Sequence, residues 1–294
     1  MNILFAIPSF PKMVEHYLIL PSMEMCIMST ILKGQNHNVE LFDMQINHYD
    51  IQDAQELLNS FMEPQIVCIE DMAQLHCNTK LLIKAVREVF PKACIMLRGE
   101  IPSFIPKTML ERNEDLDFVL RYETDFAISQ IIEKMNTDKD FSSIPNIAYR
   151  DANGNAVVTA EKFPNYNLDI LPPADRELYD LNKYLKRDSE TIAKSSRGCV
   201  GNCAFCTKTR YEYFRIFPME RFVKELKQLQ DFGFKTFFFS DNVFAFSMDR
   251  LYEFEKELNK LNMKVKWTSN IRIKDITDEK IALMKKLGAY RVFI

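Results

Sequence analysis

The segment Ser195-Ser196-Arg197-Gly198-Cys199-Val200-Gly201-Asn202-Cys203-Ala204-Phe205-Cys206 places three cysteines in a C-x3-C-x2-C pattern, directly after a strand-like run at Thr191–Ala193. Three thiolates on one short loop can curl around a single iron–sulfur cube, their sulfurs converging on one side. Protein-held clusters usually take four cysteines, so three leave one iron with an open position, and an open metal position can hold a small molecule. Structural zinc is the competing reading. It calls for four Cys or His ligands, as a rule in two knuckles, and the chain has no second C-x2-C or H-x3-H to complete such a set. Three unrelated cysteines fit poorly with the flanking Arg197-Gly198 and Gly201.

The same residues carry a family resemblance. C-x3-C-x-aromatic-C, with Phe205 as the aromatic, resembles the signature of the radical S-adenosylmethionine (radical SAM) enzymes. The resemblance implies that Cys199, Cys203 and Cys206 ligate a [4Fe–4S] cluster and that Phe205 belongs to the cofactor site. The open iron would take the amino and carboxylate groups of SAM, and the reduced cluster would cleave SAM to a 5′-deoxyadenosyl radical.

Composition narrows the setting. The 294 residues suggest one or two domains, and 47% apolar content is enough for substantial cores. A formal charge of −3 without a basic stripe makes nucleic acid an unlikely partner. The start, Met1-Asn2-Ile3-Leu4-Phe5-Ala6-Ile7, lacks a cationic region and meets Pro8 too early for a signal peptide. No apolar run reaches membrane-span length, so no membrane partner is expected. Seven cysteines without a regular framework argue against a secreted disulfide scaffold and for a reducing cytoplasm. Cys26, Cys68, Cys77 and Cys94 read as ordinary buried thiols. His37 reads as a turn residue, and His16, His48 and His76 as surface residues rather than metal ligands.

Residues 1–135 alternate short apolar runs with amphipathic stretches, the pattern of a parallel sheet with crossover helices. Strands are predicted at Ile3–Ile7, Val39–Phe42, Ile66–Ile69, Cys94–Leu97 and Phe118–Leu120. Helices are predicted from about Pro21 to Leu32, around Leu81–Val89, and from about Asp125 to Met135. This is an α/β, Rossmann-like doubly wound domain whose ligands belong beyond the carboxyl ends of the strands. The strand–helix order, with LPSMEMCIMSTILKGQNHNVELFD at 20–43, GEIPSFIP at 99–106 and DFVLRYETDF at 117–126, is similar to the cobalamin-binding-type domain found ahead of radical SAM cores. That similarity implies a corrin site lined by the loops after Ile7, Ile69 and Leu97, notably by Ser9, Met72, Gly99 and Ser103. The chain departs from the pattern in having no D-x-H-x-x-G, in Arg98-Gly99-Glu100 where relatives carry paired glycines, and in Glu70-Asp71 where they carry a small-hydroxyl loop. A scaffold without a ligand stays open as the alternative.

Residues 136–190 read as a linker. Ile147–Arg150 and Ala156–Thr159 flank Asp151-Ala-Asn-Gly-Asn155, and Asn-Gly is a strong hairpin signal. Pro164, Pro172 and Pro173 then suggest a stiff bridge. From 191 the alternation restarts, with helices at Met219–Phe232, Met248–Leu261 and Asp278–Leu287 and strands at Thr236–Phe239, Val265–Thr268 and Tyr290–Ile294. That is the first part of a TIM-like (β/α) barrel, in which functional groups sit at the carboxyl ends of strands. Polar residues follow two of these strands. By resemblance to the family, Asp241, Asn270 and Arg272 are candidate contacts to SAM or substrate, the guanidinium suiting a carboxylate.

Ile294 falls where the family continues with a SAM-binding turn and further strands, so a truncated or split protein is expected. The reading as a whole is a radical SAM enzyme, with methyl transfer to an unactivated carbon if cobalamin binds. It would need an external electron donor such as flavodoxin or ferredoxin and would act on an unknown small molecule or peptide. A cobalamin-free radical SAM enzyme and a non-catalytic cluster-binding fragment remain as alternatives.

Overall fold

The computed structural model describes residues 1–11, 19–206 and 213–294, so His16 lies outside the described residues. The chain divides into two compact units, the first formed by residues 1–162 and 172–179 and the second by 163–171 and 180–294.

The first unit is built on a sheet with the order β2-β1-β3-β4-β5-β6-β7. Its strands are β1 (Asn2–Ile7), β2 (Asn38–Asp43), β3 (Ile66–Asp71), β4 (Cys94–Gly99), β5 (Phe118–Leu120), β6 (Ile147–Arg150) and β7 (Ala156–Val158). The first five run parallel, and β6 and β7 add to the edge in antiparallel sense. The order 2-1-3-4-5 is a doubly wound arrangement with its switch point between β1 and β3, where ligands of such sheets bind. Ile3, Leu4, Phe5 and Ala6 are all buried, which explains why this strand reads as a continuous apolar run rather than an alternating one.

The helices α1 (Met23–Gly34), α2 (Ala54–Leu58), α3 (His76–Val89), α4 (Glu100–Phe104), α5 (Pro106–Glu111) and α6 (Ala127–Met135) complete this unit. Ser22 caps α1, its side chain accepting from the Met25 N–H, which satisfies one of the helix's otherwise orphaned donors.

Residues 136–190 do not form a linker throughout. The Asn-Gly hairpin pairs with β5 through Phe118↔Tyr149, Val119↔Ala148 and Leu120↔Ile147, because Ile147 and Ala148 bury fully against the sheet. The proline-rich stretch is shared between the units. Residues 172–179 belong to the first, where Asp175 accepts from Ser29 Oγ (2.8 Å) and Lys33 Nζ (2.6 Å) on α1. Residues 163–171 belong to the second, where the Arg221 guanidinium donates to Leu171 O at 2.6 Å.

The second unit contains α7 (Leu181–Arg187), β8 (Glu190–Ala193), β9 (Ser196–Arg197), β10 (Arg215–Ile216), α8 (Met219–Phe232), β11 (Thr236–Phe239), α9 (Met248–Lys260), β12 (Trp267–Asn270), α10 (Asp278–Lys286) and β13 (Ala289–Phe293). Strands β8, β11, β12 and β13 stand side by side, all parallel. Each pair is joined by a helix, which is the construction of a partial (β/α) barrel. An aromatic cluster holds helices α8 and α9 to this sheet. Trp267 stacks on Phe239 with ring centroids 5.0 Å apart, and Phe222, Phe244 and Phe254 pack edge-on or tilted around them. Such pairs contribute about 0.5–1.5 kcal/mol each beyond the area they bury.

Two expectations shift in detail. The third barrel strand runs Trp267–Asn270 rather than Val265–Thr268, because Trp267 must face the aromatic cluster, so Asn270 ends the strand instead of following it. Cys77 is exposed on α3 rather than buried, while Cys26 and Cys68 are buried and Cys94 is partly so. Burial pushes the Cys68 thiol up to about 12, consistent with an inert core thiol.

Candidate functional site

The cysteine loop leaves the carboxyl end of β8 and is tied at its base by the short β9/β10 ladder, Ser196↔Ile216 and Arg197↔Arg215. Gly198 turns the chain immediately above this ladder with φ +72°, and a Cβ there would lie 2.4 Å from Tyr213 O. Glycine is the residue that permits both the conformation and the approach. Asn242 Nδ2 donates to Gly198 O at 2.8 Å, fixing the turn from the β11 side.

Asp241, just beyond β11, is fully buried. Its carboxylate accepts from Ser195 N–H (3.1 and 3.2 Å), from Ser195 Oγ (2.8 Å) and from Ser196 Oγ. Burial pushes this carboxyl above its ordinary value, and the hydrogen bonds from Ser196 and Ser195 oppose that shift. Arg250 on α9 donates to Ser195 O at 3.3 Å. Asp241 therefore holds the strand that feeds the cysteine loop, and its oxygens are engaged there rather than turned toward a cofactor. Asn270 Nδ2 donates to Asp241 O at 3.1 Å, joining the ends of β11 and β12.

Arg272 is placed beside the loop. A Cβ built on Gly201 would lie 3.3 Å from Arg272 Cδ and Nη1 and 3.3 Å from Cys199 Sγ, so the guanidinium and the first thiol flank one glycine. Asp275 grips Arg272 through two contacts, Nε to Oδ2 at 2.5 Å and Nη2 to Oδ1 at 2.9 Å. A bidentate pair of this kind fixes the plane of the guanidinium. Phe205 is 91% exposed. Its ring contributes nothing to the protein core, so it gains apolar burial only when another molecule covers it.

Cys199, Cys203 and Cys206 are partly exposed on this one loop, and none of them is in a disulfide. Their convergence is not found: among the described residues, no three His, Cys, Asp or Glu side chains are grouped to hold a metal ion. The physical reason is that a metal's own bonds gather its ligands, and a preformed ligand set is rare without it. The donor chemistry nonetheless fits an iron–sulfur cluster, since soft thiolates select such centres, and the loop base is rigidly built.

In the first unit, the ends of β1, β3 and β4 are stitched together. Asn78 Nδ2 on α3 donates to Ser9 O (2.9 Å) and Ser9 Oγ (3.3 Å) in the loop after β1. Gly99 ends β4 so close to β3 that a Cβ would lie 1.9 Å from Asp71 O. Ser103 is buried, donating to Gly99 O (2.6 Å) and accepting from Tyr122 N–H (2.9 Å). Met72, the first residue after β3, is partly exposed.

The charged departures from the corrin-domain pattern neutralise one another. Arg98 Nη1 donates to Glu70 Oε1 at 2.9 Å, and both side chains are largely buried. Burial raises the Glu70 carboxyl while Arg98 opposes the rise. Asp71 is likewise engaged, accepting from Thr79 Oγ1 (2.9 Å) and pairing with His76 Nδ1 (2.9 Å). Neither bulk nor free charge is thus thrust into the crevice, and its glycine backbone and small hydroxyls fit a corrin. His76, read from the sequence as a surface residue, is 24% exposed and held by Asp71; the D-x4-H spacing spanning a strand end and a helix start was the available signal for that pair.

Residues 194–294 match the model of the Radical SAM superfamily. An uncharacterised methyltransferase of Pyrococcus horikoshii is 21% identical over 264 residues, covering 88% of this chain and 57% of that protein. An anaerobic magnesium-protoporphyrin IX monomethyl ester cyclase of Rubrivivax gelatinosus is 26% identical over 243 residues, covering 79% of this chain and 43% of the cyclase. The chain thus spans about half the length of the curated relatives it matches. Among solved structures, the radical SAM methyltransferase TsrM of Kitasatospora setae, with cobalamin and a [4Fe–4S] cluster bound, superposes with a TM-score of 0.78 at 14% identity. That alignment covers 99% of this chain and 60% of TsrM. No helix of the described residues is long and apolar enough to cross a membrane.

Proposed function

We propose, taking as premise that residues 194–294 are a radical SAM domain, that the chain belongs to a cobalamin-dependent radical SAM methyltransferase. The observation that carries this reading is the loop of three cysteines at the carboxyl end of β8; the first unit, taken by itself, adds a sheet whose 2-1-3-4-5 strand order leaves a crevice at its switch point.

Cys199, Cys203 and Cys206 would hold the [4Fe–4S] cluster, and SAM would take the iron they leave open. When bound, the cluster supplies the electron for reductive cleavage of SAM, which gives a radical able to abstract hydrogen from an unactivated carbon. The corrin, held by the crevice of the first unit, would supply the methyl group. Asp241 positions the strand that carries the loop, and the Gly198 turn sets the loop's direction. Arg272, fixed by Asp275, presents positive charge beside Cys199, where the carboxylate of SAM would be met. Phe205 would cover the cofactor and exclude water from the reacting region. A cytoplasmic setting and a flavodoxin- or ferredoxin-type electron donor complete the proposal.

A second reading, ring-forming chemistry by the same radical route, is favoured by the cyclase relative. The test is anaerobic reconstitution of the full chain with iron and sulfide, with and without cobalamin. Cluster absorption that is lost in Cys203→Ala, with release of 5′-deoxyadenosine, supports the radical mechanism. Corrin bands that survive gel filtration support methyl transfer, whereas a loaded cluster without corrin retention favours a cobalamin-free radical SAM enzyme. A chain that takes up no cluster refutes both.

A further inference from the structure

Two buried charges of opposite sign grip one residue at the root of the cysteine loop. Ser195, four residues before Cys199, donates through its N–H and its Oγ to the Asp241 carboxylate. Its carbonyl oxygen accepts from the Phe217 N–H (2.9 Å) and from Arg250 Nη2 (3.3 Å). Asp241 is fully buried, and the Arg250 side chain is 2% exposed. The two come from different elements, Asp241 from just beyond β11 and Arg250 from the first turn of α9, and Ser195 joins them.

Stability alone does not account for Arg250. Its Nε is buried and meets no hydrogen-bond partner among the described residues, and such an unmet donor in a native fold calls for an explanation. The acid it touches, Glu253 at 3.1 Å, has a side chain 47% exposed, so solvent screens that pair. Apolar side chains often replace buried charged groups without loss of stability. What a guanidinium adds is a permanent positive charge. Asp241 supplies the opposite charge, because hydrogen bonds from Ser195 N–H, Ser195 Oγ and Ser196 Oγ favour its ionised form. Without Arg250 the root of the loop would carry a net negative charge in a low-dielectric interior, where charge acts more strongly than in water. Net charge nearby is one of the factors that set the potential of an iron–sulfur cluster. Negative charge opposes the uptake of an electron and positive charge favours it.

We infer that Arg250 and Asp241 are an opposed pair of buried charges that sets the reduction potential of the cluster on the cysteine loop, Arg250 raising it and Asp241 lowering it. This inference rests on the radical SAM reading above. The step it governs is the uptake of one electron by the oxidised cluster from an outside reductant, with no bond of the protein made or broken.

The experiment is an anaerobic redox titration of the reconstituted full chain with dithionite and mediators, the reduced cluster being read by electron paramagnetic resonance. The expected midpoint is lower than the parent's in Arg250→Met, higher in Asp241→Asn and close to the parent's in the double variant. Arg250→Lys, which keeps the charge and loses the planar fork, should also stay close to the parent. A purely structural role would reduce cluster loading without moving the two single variants in opposite directions. Midpoints that coincide with the parent's, or that shift in the same direction in both single variants, overturn the inference and leave the cluster reading standing. A midpoint in Arg250→Lys as low as that of Arg250→Met assigns the effect to shape and overturns it as well. A parent chain that takes up no cluster overturns both together. If Arg250→Met does not fold, Asp241→Asn decides alone: a raised midpoint supports the inference, and an unchanged or lowered one overturns it.

Discussion

Replacing Gly198 with alanine should loosen the base of the cysteine loop by a calculable amount. Alanine at φ +72° occupies the left-handed region, which costs an L-residue about 1–2 kcal/mol. Its methyl would also lie 2.4 Å from Tyr213 O, where real contacts stay beyond 3.0 Å. Tyr213 cannot retreat alone, because two residues later Arg215 is paired with Arg197 in the β9/β10 ladder. Forcing atoms into a space this tight costs about 1–3 kcal/mol more. The total is about 2–5 kcal/mol. The chain's single tryptophan, Trp267, is buried in the second unit, so its fluorescence reports that unit's melting. At about 4 °C per kcal/mol for a unit of this size, the transition should fall by at least about 8 °C, and cluster loading should fall with it. Gly154→Ala is the control. Gly154 lies in the first unit, with φ +81° and nothing within 4 Å of a built Cβ, so its conformational cost of about 1–2 kcal/mol falls on that unit and the Trp267 transition should stay where it is. If Gly198→Ala melts within 2–3 °C (roughly half a kcal/mol) of the parent and loads cluster equally, the ladder does not constrain the loop and the reasoning fails.

Asp241→Ala would strand the Ser195 N–H and two buried hydroxyls, each unmet donor costing about 1–3 kcal/mol. A loss of at least about 3 kcal/mol by denaturant titration is expected, with Asp241→Asn milder because one acceptor oxygen remains. Phe254→Ala should cost about 3–5 kcal/mol by opening the ring cluster around Trp267, with a matching change in Trp267 emission. Phe205→Ala should leave stability within about 0.5 kcal/mol, since its ring is solvent-exposed, yet weaken SAM-dependent turnover. Asp175 provides a pH test. Burial alone would raise its carboxyl, but Lys33 and Ser29 outweigh that and hold it below the ordinary range. A folded value below the unfolded one, about 3.9, means its contribution is present above that pH and lost as pH falls through the folded value. Protection factors in α1, corrected for the intrinsic pH dependence of amide exchange, should therefore fall on acidification, and Asp175→Asn should remove that dependence.

The alternation of apolar runs and amphipathic stretches was enough to read two successive α/β units, because burial on both faces of a parallel strand leaves a local mark in composition. The three cysteines were equally legible, since their chemistry lies in residue type and spacing within eight positions. The hairpin at 147–158 announced itself through Asn-Gly, but its partner, β5, is some thirty residues earlier (Phe118↔Tyr149), and pairing over that distance has no local signature. Asp241 looked like a cofactor contact because polar residues at barrel-strand ends often are. Only folding put Ser195 and Ser196 against its carboxylate, some 45 residues away in the chain. Glu70 and Arg98 looked like charges in a crevice until β3 and β4, in register as neighbours, let them cancel. Asp71 and His76 looked like a strand-end acid and a surface histidine until the turn between them closed. Periodicity and residue chemistry are properties of a short window of chain, and the sequence determined what depends on them. Which side chains neutralise, orient or shield one another depends on contacts between distant windows, and those the tertiary structure alone decided.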